Sequence, residues 1–114
     1  MTAKIFFATA TLILAATSAA NAHPIRPIDR TLDQQEAKIE QGRQTGQITW
    51  REGRKLRAEQ RQIESLRADY LSDGKLTGRE YRDLRRRQEK AAWNIINEKY
   101  DGWRRLRFLP RVGR

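Results

Sequence analysis

The chain is 114 residues long and carries 24 lysines and arginines against 14 acidic residues, a net charge of +10, with no cysteine and one histidine. That composition excludes disulfide staples and thiol chemistry, and it leaves no histidine pair for a metal centre and no histidine beyond residue 23 to activate a nucleophile. One small domain is the expectation from the length, with a basic surface suited to acidic partners.

Residues 1–22 read as a cleavable export signal. Lys4 supplies the positive start, Ile5 to Ala16 form an apolar run too short to span a bilayer, and Ala20-Asn21-Ala22 is a small-x-small cleavage site. The expected product is a periplasmic protein beginning at His23. Cleavage would remove one lysine and no acid, leaving a net charge of +9. An N-terminal amine beside an imidazole can chelate copper, but a two-histidine brace needs a second histidine that the sequence lacks. Pro24 and Pro27 make residues 23–30 an expected extended lead-in.

A first helix is expected to begin near Asp29 or Thr31 and run to about Gln44, with Leu32, Gln35, Ile39 and Gly42 on one face. Beyond it lies the start of a repeat. Gly46-Gln47-Ile48-Thr49-Trp50-Arg51-Glu52, followed by Leu56 and Gln60, recurs 28 residues later as Gly74-Lys75-Leu76-Thr77-Gly78-Arg79-Glu80, followed by Leu84 and Gln88. Gly46 and Gly74 suit the positive φ that follows a helix end. Thr49 with Glu52, and Thr77 with Glu80, have the spacing of capping boxes, each preceded by an aliphatic residue in the position of a hydrophobic staple.

The second helix is accordingly expected from Thr49 to about Leu71, with Leu56, Gln60, Ile63, Leu66 and Tyr70 on its apolar stripe. The third is expected from Thr77 to about Tyr100, with Tyr81, Leu84, Gln88, Ala91 and Ile95. Short turns make successive helices antiparallel neighbours. The predicted fold is all-α, a three-helix up-down-up bundle over residues 31–100, built from the 28-residue repeat. Gln60 and Gln88 fall in the middle of the stripes, where a polar layer bonding across helices would fix register.

Residues 101–114 are expected as a basic aromatic tail. Trp103, Arg104, Arg105, Arg107, Phe108 and Arg111 interleave cations with apolar surface there, and Arg79, Arg82, Arg85, Arg86, Arg87 and Lys90 load the third helix. This chemistry suits anionic lipid, lipopolysaccharide or nucleic acid, of which export disfavours nucleic acid. The tail could equally fold back as a cap on the bundle end. Elsewhere carboxylates alternate with cations, as in Glu52/Lys55, Glu59/Arg61 and Asp83/Arg87, the pattern of solvated helix faces, and Ser65 and Ser72 are the only serines past the signal. No catalytic constellation is legible.

The second turn is similar to a degenerate EF-hand, with Asp69, Asp73, Thr77 and Glu80 at ligand positions and Gly74 at the loop glycine, but with Leu71 where a ligand belongs. The first copy retains only Gly46, Ile48 and Glu52, so glycines and caps recur while acids do not. The duplicated G-x-[IL]-T-x-x-E-x-x-x-L-x-x-x-Q pattern, over about Leu32 to Asp101, resembles small exported proteobacterial proteins without an assigned function. The Ile48-Thr49 and Leu76-Thr77 starts are also weakly similar to LTxxQ-type periplasmic stress proteins, whose Gln is Glu52 or Glu80 here. Together these imply a non-enzymatic periplasmic binding or envelope-stress protein. Its expected partner is an envelope protein or an anionic membrane surface, and self-association is open. The alternatives are a calcium-binding protein and a lipid-binding tail on a helical carrier.

Overall fold

The computed structural model describes residues 22–108. Three helices follow one another: α1 (Arg26–Gln44), α2 (Trp50–Tyr70) and α3 (Gly78–Phe108). Each packs against the other two, and the short turns make it the up-down-up bundle expected. Residues 1–21, which make up all but the last residue of the expected export signal, lie outside the described residues.

Both turns are built as the repeat indicates. Gly46 and Gly74 adopt positive φ, 76° and 83°. Thr49 Oγ1 accepts from the Glu52 amide at 3.2 Å while Glu52 Oε2 accepts from the Thr49 amide at 2.7 Å. Thr77 and Glu80 repeat the exchange at 3.2 and 2.9 Å. Each box satisfies two amides that a helix start leaves unpaired. Leu76 is buried in the same cluster as Tyr81, four residues into α3, which completes a staple. The first copy has Gly53 at that place, and Ile48 is instead fully buried with Ile39, Leu56 and Ile95.

The core has two apolar clusters with a glutamine layer between. Ile28, Leu32, Ile63, Leu76, Leu84 and Ala91 form one, and Ile39, Ile48, Leu56 and Ile95 the other. Gln35, Gln60 and Gln88, one from each helix, are all buried. Gln60 Nε2 donates to Gln35 Oε1 at 2.9 Å, Gln35 Nε2 to the Gln88 carbonyl at 2.7 Å, and Gln88 Nε2 to the Ile28 carbonyl at 2.8 Å. A one-residue slip of any helix would break these bonds inside the core, so the layer fixes register.

Two boundaries differ from expectation. Helix α1 begins at Arg26, so the extended lead-in is confined to the residues before it. Proline in the first helical turn has no amide to lose and a φ already suited to helix, and Ile28 is fully buried once helical. Helix α3 continues through Gly102 to Phe108, so the described part of the tail is its last two turns rather than a separate element. Gly102 is buried, and a Cβ there would stand 1.5 Å from the Gln47 carbonyl oxygen. Glycine is thus what lets the end of α3 lie directly on the first turn.

Candidate functional site

Side-chain hydrogen bonds to both neighbouring helices orient α3. On one flank Asn94 Nδ2 donates to Glu59 of α2 at 2.9 and 3.0 Å, and Arg105 reaches Glu52 at 3.5 Å. On the other, Arg85 Nη1 donates to Thr31 Oγ1 of α1 at 3.1 Å. The buried residues Leu84, Gln88, Ala91, Ile95 and Gly102 face inward between these flanks.

From the outer side of α3 round to the α1 flank the helix surface is aromatic and exposed. Trp93, Ile96, Tyr100 and Trp103 follow at steps of three, four and three, so they form one stripe along the helix. They are 60, 52, 58 and 44 % exposed. Tyr100 stacks on Trp103 with ring centroids 6.2 Å apart, and the Arg107 guanidinium lies 5.0 Å over the Trp103 ring. Arg82, Arg86, Lys90, Arg104 and Arg107 stand on the same outer side, with Glu89 among them and with Arg86 paired to Asp83 at 3.4 Å. An aromatic stripe of this kind, rimmed by cations, is more apolar surface than a solvated helix face ordinarily carries.

Most of the anionic-surface residues expected from sequence belong here. Trp103, Arg104, Arg107 and Phe108 are exposed at the end of α3. Arg105 turns away to Glu52, and Arg111 lies outside the described residues. Trp93, Ile96 and Tyr100 were not singled out by the sequence reading. Their spacing of three and four on the expected third helix was the available signal, and the continuation of α3 past Tyr100 adds Trp103 to it.

The second turn does not gather its acids around a cavity. Asp73 Oδ1 accepts from the Lys75 amide at 2.9 Å, Glu80 is engaged in the Thr77 cap, and the Asp69 carbonyl receives the Ser72 hydroxyl at 2.7 Å. Among the described residues no three histidine or carboxylate side chains are grouped as metal ligands. His23 is tied down by a hydrogen bond from its backbone N–H to the Leu76 carbonyl at 2.8 Å and by a stack on Tyr81 with centroids 4.8 Å apart.

Three carboxyls are shifted by their surroundings. Burial works to raise Glu52, but its bonds with Thr49 and the nearby Arg105 guanidinium outweigh it and hold the carboxyl below its ordinary value. Asp83 is lowered chiefly by the hydrogen bond from Tyr70, 2.6 Å long, with Arg87 and Arg86 adding to it, and the same bond raises the Tyr70 phenol. Glu98 is raised by burial and by the neighbouring Glu52 charge. Glu52 and Asp83 sit in bonded pairs, one at a helix start and one at a helix contact, whereas Glu98 lies within α3 beside a like charge.

No protein-family model matches the chain, and comparison with curated proteins and with solved structures gives no match. What the fold and site define is an all-α three-helix bundle with one aromatic, basic helix face left uncovered.

Proposed function

We propose that this is a non-enzymatic exported protein that docks on anionic, phosphate-bearing lipid surfaces through the outer face of α3. The observation that carries the reading is the exposed register of Trp93, Ile96, Tyr100 and Trp103 among arginines and lysines. Tryptophan and tyrosine favour the boundary between headgroups and acyl chains, because each ring has an apolar body and a polar tip. Arginine and lysine stems can lie along that apolar layer while their charged ends meet phosphate.

No helix among the described residues is long and apolar enough to cross a membrane, and the docking mode proposed is lateral. Each cation near an anionic headgroup layer contributes about 1 kcal/mol, and the aromatic stripe adds apolar burial. The periplasmic setting is carried by residues 1–22, whose pattern is that of an export signal.

The test is co-sedimentation of the purified exported protein with vesicles of phosphatidylglycerol, of lipid A in phosphatidylcholine, and of phosphatidylcholine alone. Binding to the anionic vesicles that weakens as salt rises supports the reading. Equal binding to neutral vesicles, or none to either anionic kind, overturns it.

A further inference from the structure

On α2, the flank that meets α3 carries Glu52 and Glu59, which reach Arg105 and Asn94. Arg57 points the other way and pairs with Glu40 of α1. Trp50 and Arg54 precede Arg57 at steps of four and three, so they share its flank, on the groove between α1 and α2 and away from α3. Trp50 is 62 % exposed, and the Arg54 guanidinium lies 4.6 Å over its ring. Arg43 lines the same groove and donates to the Ile48 carbonyl at 3.2 Å, one of the several N–H groups it carries.

We infer that this groove is a second contact for anionic lipid headgroups, on the side of the bundle opposite the α3 face, so that one molecule bridges two apposed anionic bilayers. The inference rests on the reading of α3 given above. Three arginines face a single carboxylate, Glu40, which Arg57 already neutralises, so the groove keeps a surplus of positive charge. Its polar lining consists of exposed or half-exposed side chains. That lining suits a field of phosphates meeting the protein edge-on, with Trp50 at the level of the glycerol backbones. In a three-helix bundle the groove between two helices and the outer side of the third face opposite ways. Two basic, tryptophan-bearing surfaces so disposed cannot both lie on one flat membrane.

The experiment measures binding and clustering together. The purified exported protein is mixed with phosphatidylglycerol-containing vesicles, followed by co-sedimentation and by dynamic light scattering. The wild type is expected to bind and to enlarge the scattering particles, reversibly with salt. The double variant Trp50→Ala/Arg54→Gln, and Arg54→Glu alone, are expected to retain binding within about tenfold through α3 but to lose clustering. Both sites are exposed, and circular dichroism verifies that the variants remain folded. Wild-type binding without clustering overturns the bridging while leaving the α3 reading intact, whereas absence of binding overturns both. Clustering that survives in both variants, or a wild type that is already a dimer by sedimentation velocity, overturns the bridging in favour of two copies pairing face to face.

Discussion

Gly102 decides where the last turns of α3 lie. A methyl group at that position would meet the Gln47 carbonyl, and backbone atoms cannot swing aside as a side-chain end can. Gly102→Ala should therefore destabilise by about 1–3 kcal/mol, although alanine is the better helix former. A thermal melt measures this. A raised melting temperature would mean that the helix end does not rest on the turn. The glutamines behave differently, because their value depends on remaining a set. Gln35→Leu orphans the buried Gln60 Nε2 and should cost about 1–3 kcal/mol, while replacing Gln35, Gln60 and Gln88 together by leucine should recover most of that. Denaturant titrations of the single and triple variants distinguish a bonded layer from three independent polar residues. A triple variant no more stable than the single one would contradict the pairing.

At the scale of helices, the caps control both stability and its pH dependence. Thr49→Ala and Thr77→Ala remove the same bond from α2 and α3, each for about 1 kcal/mol. Glu52 and Asp83 lie below their ordinary values of 4.5 and 3.8, so the folded state holds their charged forms. Their stabilisation is complete above those values and is lost as pH falls through the lowered ones. The melting temperature should fall on acidification below about pH 4.5, and Glu52→Gln, which can still cap but does not titrate, should reduce that fall. Glu98 has the opposite sign. Its carboxyl is raised, so its ionisation opposes folding at neutral pH, and Glu98→Gln should raise the melting temperature there. The capped helix starts were legible in the sequence because a capping box is a local, chemically specific pattern. The ends were not. Pro24 and Pro27 read as an extended lead-in although a first helical turn accepts Pro27, and the run of α3 past Tyr100 through Gly102 rests on a close approach to Gln47 that belongs to the tertiary structure.

At the scale of the whole molecule, the bundle buries one face of α3 against α1 and α2 and leaves the other aromatic. The basic composition and the tail chemistry of Trp103, Arg104, Arg107 and Phe108 were visible in the chain, but the surface they join was not. Only an α3 that continues to Phe108 places Trp103 in line with Trp93, Ile96 and Tyr100. The most direct measurement uses tryptophan as its own probe, in a Trp50→Phe/Trp103→Phe protein that retains Trp93 alone. On addition of phosphatidylglycerol vesicles, Trp93 emission should shift to the blue and be quenched by lipids brominated near the headgroup, with both effects reversed by salt. Co-sedimentation with those vesicles while Trp93 emission stays that of a water-exposed indole would contradict docking through α3.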